Sequence, residues 1–233
     1  MNSAISTRQG PPRRPRGGRA FGLAAACLLA GLLARGAEPT WISLFDGKTL
    51  DGWRVTDFGG TPEEVHVEAG TLVLDMGSAG MSGVTRTREV PKVDYEVQME
   101  AMRVQGSDFF CGLTFPVKDA FCSLIVGGWG GSLIGISSFD GMDASENETT
   151  TSMEFENGRW YTLRLRVTDG RLQAWIGDKR VIDARPGERR IGVRLEMENS
   201  KPFGLSTWHT KAAFKDIRLR LLSPDEIKAA REE

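Results

Sequence analysis

An all-β, two-sheet antiparallel sandwich of the jelly-roll type is the fold this sequence predicts, and three observations lead there. Apolar and polar residues alternate with a period of two through 65–74, 93–101, 160–167 and 171–176, the pattern of strands with one face on a core. Asp-Gly and other glycine turns separate these runs at short intervals. No segment between 38 and 223 sustains a helical spacing of its apolar residues.

The leader comes first. Arg13, Arg14, Arg16 and Arg19 precede an apolar run from Ala20 to Ala34, the form of a secretory signal peptide over residues 1–37. An uncleaved anchor and lipidation at Cys27 are the alternatives, but the apolar run is short for a membrane span. The expectation is an exported protein, periplasmic or extracellular, with no stable span once the leader is removed. A jelly-roll domain over 38–222 and a short helical tail over 223–233 remain. The net charge of −1 argues against a nucleic-acid partner, which requires a basic surface.

In the domain, Trp41–Trp53 carries two Asp-Gly turns, with Leu44, Phe45, Leu50 and Trp53 as anchors of an edge element. Val65–Leu74 reads as a hairpin turning at Ala69-Gly70, which pairs Val67 with Leu72 and Val65 with Leu74. Along 93–101, Val93, Tyr95, Val97, Met99 and Ala101 face inward. Asp94, Glu96, Gln98 and Glu100 face solvent.

The stretch 106–147 is the centre of the chain. No charge occurs between Ala120 and Phe139, yet the glycines there, including Gly127-Gly128-Trp129-Gly130-Gly131, oppose a helix and favour buried strands. Cys111 and Cys122 lie opposite each other if the hairpin turns at Pro116-Val117. If it turns at Lys118-Asp119, Cys111 faces Val126 instead.

Further on, 160–167 and 171–176 form a hairpin about Asp169-Gly170 that places Arg164 opposite Trp175 on the outer face. Arg190–Glu198 alternates and reads as a strand, with Ile191, Val193, Leu195 and Met197 inward and Arg190, Arg194, Glu196 and Glu198 outward. Residues 201–210 and a last strand over 213–222 follow. Ser223-Pro224-Asp225-Glu226 is a helix start with a capping box.

Asp108, Asp140, Asp143, Glu146 and Asn147 gather at the ends of the uncharged central strands, where a binding site is expected. No Gly-x-Ser-x-Gly elbow, phosphate-binding Gly-Lys-Ser/Thr loop or His-Glu-x-x-His occurs, and two His in all exclude a His-rich metal site. No cofactor is expected; Asp140, Asp143 and Glu146 are the one set that could hold a calcium ion.

Leu44-Phe-Asp-Gly-Lys-Thr-Leu-Asp-Gly-Trp53 resembles the opening motif of the 3-keto-disaccharide hydrolase domain family. Phe214–Leu219 is similar to that family's last strand, and Gly158–Tyr161 with Trp175–Asp178 to its hairpins. The resemblance covers 41–222. It implies a concanavalin-like jelly roll whose concave sheet meets carbohydrate, and hydrolysis of glycosides carrying a ketone at C3. Under that reading Arg194, Glu196, Glu198 and His209 are catalytic, with Glu196 or His209 as the base and Arg194 as the oxyanion partner. Trp129 and Trp208 stack on sugar; Asp108, Asp140 and Glu146 bind it. The same fold supports two alternatives, a non-catalytic carbohydrate-binding module and a cell-surface interaction domain. For Arg194, Glu196 and Glu198 an ordinary surface ion-pair ladder stands beside the catalytic role.

Overall fold

The computed structural model describes residues 40–232, with positions 1 and 10 ahead of them; the expected leader lies outside the described residues. The strands in chain order are β1 (Ile42–Ser43), β2 (Trp53–Val55), β3 (Val65–Glu68), β4 (Thr71–Leu74), β5 (Met81–Arg86), β6 (Tyr95–Gly106), β7 (Cys111–Val117) and β8 (Ala120–Gly128). Then come β9 (Leu133–Ser137), β10 (Thr151–Ser152), β11 (Trp160–Thr168), β12 (Arg171–Ile176), β13 (Lys179–Ala184), β14 (Gly204–Trp208) and β15 (Thr210–Leu221). They form two antiparallel sheets. One runs β13-β12-β11-β6-β15-β4-β3, with β1 added on β15; the other runs β10-β9-β8-β7-β14-β5-β2. The helix α1 (Pro224–Glu232) follows β15.

The core lies between the inner faces. Tyr95, Val97, Met99 and Ala101 of β6 meet Cys111, Leu113 and Phe115 of β7, with Ile134 and Ile136 of β9 beside them. The expected registers hold. Val65 pairs with Leu74 and Val67 with Leu72; Leu163 pairs with Ile176, Leu165 with Ala174 and Val167 with Leu172. The β7–β8 hairpin takes the Lys118-Asp119 turn, so Cys111 opposes Val126 and Phe115 opposes Cys122. Both thiols are free and buried.

Capping at the last helix follows the sequence. Glu226 N–H donates to Ser223 Oγ at 3.3 Å, and Ser223 N–H to Glu226 Oε2 at 2.9 Å. No helix among the described residues is long and apolar enough to cross a membrane.

Three features depart from the sequence expectations. Strand β5 was not anticipated, because every one of its residues is buried and a strand covered on both faces shows no alternation. Glu96, expected on a wet face, is 2 % exposed. It accepts from Arg220 Nη2 at 2.9 Å and Arg166 Nε at 2.8 Å, and Arg220 also binds Glu226 of α1. The helix thus covers a face that periodicity alone reads as solvated.

The third departure is Arg190–Glu198, which is not a strand. Gly192 exchanges backbone bonds with Ser138, the Asp140 N–H donates to the Arg190 carbonyl, and the chain then closes into a 3₁₀ helix over Leu195–Ser200. Its repeat of three sets Arg194, Met197 and Ser200 on one side. Met197 and Ser200 are accordingly buried, while Leu195 is 86 % exposed. The period-two pattern was a coincidence of composition.

Candidate functional site

The site forms on the outer face of the seven-stranded sheet. Because Cys122, Leu124 and Val126 enter the core, Ser123 and Ile125 project the other way; because Ile134 and Ile136 enter it, so do Gly135 and Ser137. The segment 190–200 lies over this face and closes one wall of a pocket of about 290 Å³, near the lower end of the roughly 300–1,000 Å³ of small-ligand sites. Phe109, Ile125, Met81 and Met197 give the pocket an apolar lining. Its polar lining comes from Asp108, Ser137, Arg194 and Glu196, with Trp129 and Trp208 beside them.

Arg194 is held from two sides. Its Nε and Nη2 donate to Glu196 at 3.3 and 3.1 Å, and its Nη1 donates to Asp143 Oδ2 at 2.5 Å. Asp143 can reach it because its loop presses onto Gly135. A Cβ at that glycine would stand 2.5 Å from the Ala144 carbonyl oxygen. Asp143 Oδ1 is meanwhile occupied by the Ser145 N–H and Oγ, at 2.8 and 2.6 Å. Asn147 Nδ2 fastens the loop to the Ile136 carbonyl at 2.8 Å. The Glu196 bond pushes the Arg194 guanidinium further towards its charged form, and Arg194 in turn holds the Glu196 carboxyl below its usual range.

Across the pocket, Asp108 Oδ1 accepts the Phe109 N–H at 2.7 Å and Oδ2 accepts the Gly130 N–H at 3.4 Å. Among the described residues no cation lies within ion-pair reach of this carboxylate. The glycine turn beside it presents Trp129, 45 % exposed with φ +46°, after a bulge at Gly127 in β8. Arg103 Nη1 braces that turn through the Gly131 carbonyl at 3.1 Å, an approach that a Cβ at Gly131 would block.

Of the residues singled out from sequence, Arg194, Glu196, Asp108, Trp129 and Trp208 line one pocket. The other four lie off its lining. His209 is exposed, its ring edge-on to Trp208 with centroids 4.8 Å apart. Glu198 pairs with Lys201 on the solvent side of the 3₁₀ helix. Asp140 Oδ1 accepts the Arg190 N–H at 2.9 Å, and Glu146 Oε2 accepts the Asp143 N–H at 3.2 Å, both closing local turns. Among the described residues no group of three or more His, Cys, Asp or Glu could hold a metal ion, so Asp140, Asp143 and Glu146 do not form a calcium cage. Ser137, Met81 and Met197 were not foreseen. The alternation of β9 carried a signal for Ser137; Met81 and Met197 gave none without the position of β5 and of the 3₁₀ helix.

Residues 40–220 match the model of the 3-keto-alpha-glucoside-1,2-lyase-like domain. No curated protein matches significantly. Among solved structures, a Parabacteroides distasonis protein assigned as a glycosyl hydrolase superposes with a TM-score of 0.52 at 14% identity, over 78% of this chain and 94% of that one. A native glycosidic hydrolase gives a TM-score of 0.54 at 9% identity, over 78% and 96%. A Crh5 transglycosylase in complex with NAG gives 0.53 at 11%, over 78% and 84%. At these identities the likeness is one of fold.

Proposed function

We propose that this chain, which belongs to the 3-keto-alpha-glucoside-1,2-lyase-like (3-keto-disaccharide hydrolase) family, is a carbohydrate-active enzyme that cleaves glycosides already oxidised to a ketone at C3. A C3 ketone acidifies the hydrogen on C2. A base takes that proton, and the electron pair of the C2–H bond passes into an enolate on the C3 oxygen. When the enolate collapses, C3=O re-forms, a C1=C2 double bond forms and the C1–O glycosidic bond breaks, with a proton taken up by the leaving oxygen. Addition of water across C1=C2 completes a net hydrolysis.

The observation that carries this reading is that a carboxylate with no cation partner among the described residues and an anchored guanidinium line one pocket beside two tryptophans. Asp108 is the proton acceptor. Glu196 is the weaker candidate, because its bond to Arg194 lowers its affinity for a proton. Arg194 stabilises the enolate oxygen from a position already set by Asp143 and Glu196, so little reorganisation is needed as charge develops. Trp129 and Trp208 stack on the sugar ring. The basic and apolar leader supports action outside the cytoplasm.

The test is incubation of the protein with a nitrophenyl 3-keto-glucoside and with its unoxidised parent, following released nitrophenol. Release from the keto form alone, reduced about 10²–10⁴-fold in Asp108→Asn, is the expected result. Sugar binding without cleavage of either compound would assign the domain as a binding module instead.

A further inference from the structure

We infer that Ser137 is a specificity-determining residue whose hydroxyl is completed by a hydroxyl of the bound sugar; the inference rests on the glycoside reading of the pocket given above. Ser137 closes strand β9 and lines the pocket beside Arg194. The residue is 1 % exposed, and its Oγ has no hydrogen-bond partner among the described residues. The neighbouring hydroxyls on the same face are already engaged. Ser123, directly across on β8, shares a bond of 2.9 Å with Thr114, and Ser206 donates to the Gly112 carbonyl at 3.2 Å. Nor can Ser137 turn towards the core, because Ile136 and Ile134 take the inward positions of its strand.

A buried hydroxyl left without a partner destabilises a fold. Alanine at this position would remove that cost and fill the same strand, so folding gives no reason for the serine. A ligand does. A sugar hydroxyl both donates and accepts, as a serine hydroxyl does, and Ser137 belongs to the pocket's lining. Sites that hydrogen-bond a substrate hydroxyl reject analogues lacking it far more strongly than apolar walls reject an added group. Ser137 therefore reads one hydroxyl of the ring that Arg194 engages.

The experiment compares wild type, Ser137→Ala and Ser137→Cys on the nitrophenyl 3-keto-glucoside and on its 4-deoxy and 6-deoxy analogues, with thermal unfolding alongside. In wild type, one deoxy analogue is expected to lose at least tenfold in kcat/KM. In Ser137→Ala the parent compound falls by about 10–100-fold and that preference collapses, while Tm holds or rises by about 2–12 °C. Ser137→Cys, which keeps the volume and nearly removes the hydrogen bond, loses the same preference. A preference that survives both substitutions overturns the inference, as does a Tm that falls in Ser137→Ala, since the hydroxyl would then serve the fold. Absence of wild-type cleavage of any 3-keto-glucoside overturns the glycoside reading and this inference with it. Wild-type cleavage that Ser137→Ala leaves unchanged overturns this inference alone.

Discussion

Arg194 and Asp143 meet across the pocket wall, Nη1 to Oδ2 at 2.5 Å, although 51 residues separate them in the chain. Asp143 sits on the loop pressed against Gly135, and Arg194 on the segment covering the same sheet. The bond fixes where the guanidinium points. Asp143→Asn is therefore expected to lower kcat by roughly 10–100-fold with a near-native unfolding midpoint. A kcat equal to wild type would show that Glu196 alone suffices to orient Arg194.

Trp129 is held out to solvent by a turn that five neighbouring residues, four of them glycine, make possible. An aromatic stacking contact contributes about 0.5–1.5 kcal/mol. Trp129→Ala should then raise KM about 3–10-fold, with kcat and stability little changed. A fall in kcat with KM untouched would assign Trp129 to the reacting geometry rather than to binding.

Glu96 lies beneath α1 between Arg220 and Arg166, where removing it leaves both guanidinium groups to Glu226 alone. Breaking a buried pair costs about 3–5 kcal/mol, so Glu96→Ala is expected to lower stability by that amount in urea titration. Asp119, 97 % exposed in its pair with Lys92, is the contrast. Its alanine substitution should fall within about 1 kcal/mol.

The same cluster sets a pH dependence. The Arg220 guanidinium, helped by the Ser223 N–H, holds the Glu226 carboxyl down at about 2 from an ordinary 4.5. A carboxyl with a depressed folded value stabilises the fold above its unfolded value, and the contribution is lost as pH falls through the folded one. The stability gap between wild type and Glu226→Gln should be full at pH 7, about 1–3 kcal/mol, shrink below pH 4.5 and vanish near pH 2. A gap unchanged at pH 2.5 would mean that the helix is held by packing alone.

Burial pushes the Cys111 thiol up to about 12 and that of Cys122 up as well. Neither is expected to react with a thiol reagent at pH 7.5 until the fold opens, as peptide mass spectrometry after labelling would record. Labelling of Cys111 in the native protein would show that the middle of its sheet opens under native conditions.

Alternation at period two is a local property, so it was enough to place β3, β4, β6, β11 and β12 and to set the registers of their hairpins. The capping box at Ser223 was legible for the same reason: its partners stand three residues apart. The resemblance in Leu44–Trp53 pointed to carbohydrate, and Arg194, Glu196, Asp108 and the two tryptophans could be named as residue types suited to it. Their convergence could not be read from the chain. It depends on segment 190–200 leaving its expected strand and crossing the outer face of a sheet built from distant residues. A repeat of three and a repeat of two are hard to separate over nine positions. Burial of Glu96 likewise depends on Arg220 and on Glu226 of the helix laid over it. Side-chain periodicity states which way a residue points from its own strand; what meets it there is settled by elements that arrive from elsewhere in the fold.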